Sequence, residues 1–140
     1  MAIELVKFKA EHWMVLNNDT SEKSALHGTI REKAGIAYTA MDGEWILGCA
    51  GIITESKTGI LWALLTEDIK RRYPLWFHRT ARGLLMPVIE TLGLVRVEAI
   101  VDPAIKMNCR WIEKLGFQNK RIKEKAGPDG KDVLEYVLLR

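Results

Sequence analysis

Few side chains in this sequence are placed to do chemistry, and they fall in three places. Lys70, Arg71 and Arg72 stand in a row. Guanidinium forks hold phosphate oxygens through charge-assisted bonds, so the run suits a phosphate-bearing ligand; its other reading is a solvated surface. Glu98 lies inside Val95-Arg96-Val97-Glu98-Ala99-Ile100-Val101. A carboxylate in a half-buried sheet takes a raised pKa and can accept a proton; the competing readings are an ion pair with Arg96 and exposure to solvent. Asn108 is the third. At ~100° per residue, Met107, Trp111, Leu115, Ala104, Ile112, Ile105 and Cys109 fill one arc of a helix, and Lys106, Glu113, Arg110 and Lys114 fill the other. Asn108 falls in the middle of the apolar arc, so it is either a core residue satisfied by hydrogen bonds or part of a binding surface.

The remaining candidates read as structure. Asp102, before Pro103, suits a turn. His78 lies at the edge of an apolar arc, and His12 and His27 have no informative neighbours. Cys49 and Cys109 are far apart, each in an apolar run, which predicts two buried reduced thiols and no metal.

At 140 residues, 48% hydrophobic and 28% charged, the chain is expected to form one domain over 1–140. A formal charge of +3 is too small to argue for a nucleic acid or membrane partner. Ile3-Glu4-Leu5-Val6-Lys7-Phe8 alternates like a strand and lacks the apolar core of a secretion signal, and no run reaches the ~18 apolar residues of a membrane span. A soluble, cytoplasmic protein is the expectation.

The elements that must position these groups follow from periodicity and turn chemistry. After the opening strand come a short helix around His12 to Leu16 and a second from about Ser21 to Lys33, entered through Asn17-Asn18-Asp19-Thr20-Ser21. Strands Ile36–Met41 and Trp45–Ile53 flank the turn dipeptide Asp42-Gly43. Lys57-Thr58-Gly59 turns the chain into a strand from Ile60 to Leu65, apolar on both faces. A long helix starts near Pro74 with core stripe Phe77, Ala81, Leu84, Leu85, Val88 and Leu92, and a kink is expected at Pro87. Trp76 and Met86 project from its opposite face, where exposed apolar groups can mark a partner surface such as that of a homodimer. Strand Val95–Val101, the Asn108 helix and a hairpin from about Gln118 to Leu139 around Gly127-Pro128-Asp129-Gly130 complete the chain. The order is β-α-α-β-β-β-α-β-α-β-β, an α/β fold.

With its closing helix ending in Glu113-Lys114-Leu115-Gly116-Phe117, this order resembles the GNAT superfamily of acyl-CoA-dependent N-acetyltransferases. Gly116 also has an ordinary reading, as the left-handed cap that lets Phe117 pack under the last turn. The resemblance implies a single GNAT-like domain with a mixed central sheet of about seven strands and helices on both faces. It implies acetyl-CoA as co-substrate, held between the fourth and fifth strands, and a small-molecule or protein amine as acceptor. Backbone N–H groups at Leu64, Leu65 and Thr66 would polarise the thioester. Thr66, Arg71 and Arg72 would hold the pyrophosphate, with Asn108 and Trp111 beside the pantetheine arm. Glu98 is the candidate base.

The sequence departs from the family at two points. The family's pyrophosphate loop carries glycines, whereas Asp68-Ile69-Lys70-Arg71-Arg72-Tyr73-Pro74-Leu75-Trp76 has none. Many members carry an Asn near the start of the closing helix and a proton-donating Tyr four residues before Gly-Phe; here Ile105 and Ile112 stand there. Trp62-Ala63-Leu64-Leu65-Thr66-Glu67-Asp68-Ile69 and the basic stretch after it look like the short GNAT-like proteins of tailed phages and prophages. That narrower resemblance implies an alternative: a catalytically degenerate binding or virion-assembly component with a phage assembly partner, working in a bacterial host cell.

Overall fold

The computed structural model describes residues 3–127 and 129–140; Pro128, expected in the last turn, lies outside them. The elements are β1 (Glu4–Lys7), α1 (Ala10–Asn17), α2 (Glu22–Lys33), β2 (Gly35–Asp42), β3 (Trp45–Glu55), β4 (Thr58–Leu65), α3 (Glu67–Arg72), α4 (Pro74–Leu92), β5 (Arg96–Val101), α5 (Lys106–Lys114), β6 (Gln118–Lys123) and β7 (Val133–Leu139). The strands form a mixed seven-stranded sheet. No helix among the described residues is long and apolar enough to cross a membrane. The chain divides into two compact units, Met1–Glu55 with Leu61–Phe77 and Ser56–Ile60 with His78–Arg140.

In the first unit β1 pairs antiparallel with β2, and β2 with β3. The β2–β3 turn sits one residue later than the sequence suggests. Asp42 is still paired with Trp45, so Gly43 and Glu44 make the turn, with Gly43 at φ 58° supplying the left-handed backbone. The register slips between Ala40–Gly48 and Met41–Ile46, which leaves Leu47 as the extra residue of a bulge. The next turn comes early: Ser56 takes φ 56°, and Thr58 and Gly59 already belong to β4. Ser21 caps α2 by accepting the Ser24 N–H at 3.2 Å.

This unit buries two apolar groups. One gathers Phe8, Cys49 and Trp62 with Trp13, Leu16, Ala37, Ile53 and Leu64. The other gathers Ala40, Leu47 and Ile69 with Leu65, Tyr73, Trp76 and Phe77. Trp76 therefore packs against the core and is not the exposed residue the helical wheel suggests. It lies in the first turn of α4, just after α3, and the buried Ile69 of that short helix gives it a surface to cover.

In the second unit β7 lies between β5 and β6, antiparallel to both. Leu85 and Ile89, one turn apart on α4, are buried, while Leu92 is 40% exposed. The expected stripe thus ends a turn early, because Gly93 at φ 62° terminates the helix directly after Leu92. At the end of α5, Gly116 takes φ 103°, its N–H donates to the Glu113 carbonyl, and the Phe117 N–H donates to the Ile112 carbonyl. These two bonds close the helix in a Schellman motif and turn Phe117 inward. Glu135 on β7 is buried with two cations of β6, Arg121 at 2.8 Å and Lys123 at 3.3 Å. Burial works to raise its carboxyl, but those hydrogen bonds prevail and hold it below the usual range.

Candidate functional site

The cation run is not a loop. Lys70, Arg71 and Arg72 form the last turn of α3, whose first turn carries Glu67 and Asp68. Acids at the N-terminal end and bases at the C-terminal end complement the helix dipole. Lys70 pairs with Glu67 at 3.7 Å and Arg72 with Asp68 at 3.8 Å. Arg71 is exposed and has no ion pair among the described residues, so it alone of the three leaves its charge free for a ligand.

Thr66 fixes this helix to the sheet. Its hydroxyl donates to the Leu47 carbonyl at 2.6 Å and accepts from the Ile69 N–H at 3.4 Å, while its N–H donates to the same carbonyl at 3.1 Å. The acceptor is the bulged residue of β3, so the irregularity that displaces Leu47 from the β2 ladder is what anchors the end of β4. Both Thr66 donors are thereby engaged within the protein. Leu64 and Leu65, just before it, are half-buried and belong to the two different core groups of this unit.

In the second unit, Glu98 is half-buried on β5 and paired with Arg96 at 3.4 Å. Asn108 is also half-buried, and its side-chain amide makes no hydrogen bond to a described residue, unlike a core Asn held by the backbone. Trp111, one turn on, is half-buried as well. Ile112 is 2% exposed and Met107 55% exposed, so α5 turns inward further round than the centre of the sequence arc. Cys109 is half-buried, not buried as expected, and neither cysteine is in a disulfide. Among the described residues no group of three His, Cys, Asp or Glu could hold a metal.

Two further polar arrangements have no sequence signal. His12 Nδ1 accepts the Lys9 N–H at 3.2 Å and lies 2.8 Å from the Thr39 hydroxyl. It thus caps α1 from inside, and burial holds its imidazole below the ordinary range. Tyr136 on β7 donates its phenol to Glu113 of α5 at 2.8 Å; burial, then this carboxylate, pushes the phenol above its usual range. Both pairings join residues more than twenty positions apart, and no local pattern encodes them.

No family model and no curated protein matches the sequence. Solved structures do match the fold. The ribosomal-protein-S18-alanine N-acetyltransferase from Escherichia coli superposes with TM-score 0.77 at 14% identity, covering 99% of this chain and 94% of that one. The fold is that of the GNAT acetyltransferases. An IAA acetyltransferase from Bacillus cereus (TM-score 0.72, 13% identity, covering 99% of this chain and 100% of that one) shares this GNAT fold. So does a spermidine N-acetyltransferase mutant from Vibrio cholerae (TM-score 0.71, 12% identity, covering 98% and 93%).

Proposed function

We propose that this GNAT-fold chain, acting as one domain over residues 1–140, is an N-acetyltransferase that moves an acetyl group from acetyl-CoA to an amine, with no metal. The observation that carries this reading is the fold, matched over nearly the whole chain by a ribosomal-protein-S18-alanine N-acetyltransferase and a spermidine N-acetyltransferase. In the reaction the amine nitrogen attacks the thioester carbonyl carbon, the C–N bond forms as the C–S bond breaks, and the leaving thiolate takes up a proton. Backbone at Leu64 and Leu65 is the proposed polariser, and Glu98, directly or through water, the proposed base. Arg71 offers a free guanidinium to the CoA phosphates, with Arg72 able to turn to them from its exposed pairing with Asp68. The amide of Asn108 and the indole of Trp111 are proposed to contact the pantetheine arm. Thr66, given its bonds to Leu47 and Ile69, serves by holding α3 in place. Phenol at position 112 is absent, so water or the acceptor itself must protonate the thiolate, and turnover is expected to be slow.

Calorimetry with acetyl-CoA and with desulfo-CoA tests the reading. Micromolar binding of both is expected, weakened by Arg71→Ala with Arg72→Ala and, in part, by added salt. Absence of binding at millimolar ligand overturns it.

A further inference from the structure

Arg31, on the last turn of α2, lies in a corner between two indoles of the first unit. Its guanidinium carbon is 4.0 Å from the centroid of the Trp13 ring and 5.3 Å from that of Trp62, and the two rings stand nearly perpendicular at 82°. The cation has no ion pair with any described residue. Its nearest acidic neighbour in sequence, Glu32, is turned away, accepting the Ala10 N–H at 2.7 Å. The Cys49 thiol nearby supplies no negative charge, because burial pushes its pKa up to about 12. Burial likewise lowers the pKa of Arg31, the mark of a cation that has lost water without gaining an anion. The indole faces offset part of that loss.

The hydrogen bonds of Arg31 point the same way. Nη1 of Arg31 donates to the His27 carbonyl at 3.1 Å. On the opposite edge Nε is buried without a partner, and in the same cluster the Nε1–H of Trp62, a residue 9% exposed, is also buried without one. Folded proteins pair the great majority of such donors, so two orphans beside an unbalanced cation describe a place built for an acceptor.

We propose that this corner binds an organic carboxylate, which bridges the Nε and Nη2 edge of Arg31. The two parallel N–H bonds of that edge match the two oxygens of a planar carboxylate, whose single negative charge balances the single unpaired cation. The corner is assembled from α1, α2 and β4, and Trp62 precedes the proposed polariser Leu64 by two residues on that strand. If the acetyltransferase reading holds, on which this last step alone rests, the acceptor is an amine that also carries a carboxylate, such as an amino acid or a peptide with an acidic group.

Amide and side-chain nitrogen NMR tests the site directly, since Arg31 Nε–H and Trp62 Nε1–H each give a resolvable signal. Sodium propanoate, titrated at constant ionic strength, is expected to shift both signals saturably in the millimolar range, while propanamide shifts neither. Arg31→Gln is expected to abolish the response of Trp62, and Arg31→Lys, which keeps the charge and guards against a folding defect, to weaken it. Equal responses to acid and amide, no saturable response, or a larger response to inorganic phosphate overturns the proposal. Acetyl-CoA calorimetry on the same samples separates the two claims: a propanoate response without CoA binding leaves the carboxylate site standing and removes the enzyme, and CoA binding without the response does the reverse.

Discussion

Replacing Thr66 by Val keeps the branched shape of the side chain and removes one oxygen, so it isolates what that oxygen does. The hydroxyl is the N-cap of α3, a contribution of about 0.5–2 kcal/mol. It also donates to the Leu47 carbonyl at 2.6 Å, a bond with a net contribution of about 0.5–1.5 kcal/mol. Leu47 keeps the Thr66 N–H as a donor, so its carbonyl is not orphaned, but the Ile69 N–H loses its partner. Together the losses come to about 1–3.5 kcal/mol, or a fall in Tm of about 3–11 °C for a chain of this length. Urea unfolding followed by tryptophan fluorescence measures it, with an unchanged m-value as the sign that only stability has moved. Thr66→Ser retains the oxygen and is expected to unfold close to the parent. Acetyl-CoA calorimetry on the same pair then tells anchoring from direct contact. If Thr66 anchors α3, Val loses stability in the free protein together with affinity, and Ser loses neither. An unchanged urea midpoint for Thr66→Val, with affinity lost, would refute the anchoring argument and make the hydroxyl a ligand to the phosphates.

Asn108→Ala removes an amide that no described residue holds, so the free protein is expected to melt within about 2 °C of the parent; the rise in Tm that acetyl-CoA produces should shrink, as scanning calorimetry will register. Ile112→Tyr places a ring and a hydroxyl where the present side chain is 2% exposed, and should cost about 1–3 kcal/mol in urea unfolding without raising acetyl transfer. Faster turnover in that variant would show that position 112 does reach the reacting thioester. For His12, burial favours the neutral ring in the folded state, so the unfolded chain binds more protons as the pH drops from about 6.5 through the lower folded value. Stability should therefore fall with pH across that window. His12→Asn should flatten this slope in melts taken between neutral and mildly acidic pH.

Local chemistry was enough to read most of the element order from the residues. Ser21 before an amphipathic run, Gly43 between two apolar strands, and Gly116 followed by Phe117 each state a backbone requirement that only a few residue types meet. The structure answers with a cap, a turn and a Schellman motif at those places or one residue away. The helix α3 also has a local signal: Thr66, then two acids, then three bases is a cap with charges matched to the helix dipole. The missing glycines that set this stretch apart from a phosphate-binding loop also favour a helix there.

What tertiary structure alone decided are the relations between residues distant in sequence. The Leu47 carbonyl becomes an anchor only because a bulge turns it away from one strand and toward Thr66. Trp76 is covered because the buried Ile69 of the neighbouring α3, not helical phase, decides what its face meets, whereas Leu92 is exposed at the very end of its helix. Arg31 reads from the sequence as one more cation on a polar helix end. Its meaning comes from Trp13 and Trp62, brought against it from another helix and a strand, which take part of its water while no described residue forms an ion pair with it. Desolvation and charge balance are properties of a three-dimensional neighbourhood, and periodicity along a chain carries no record of them.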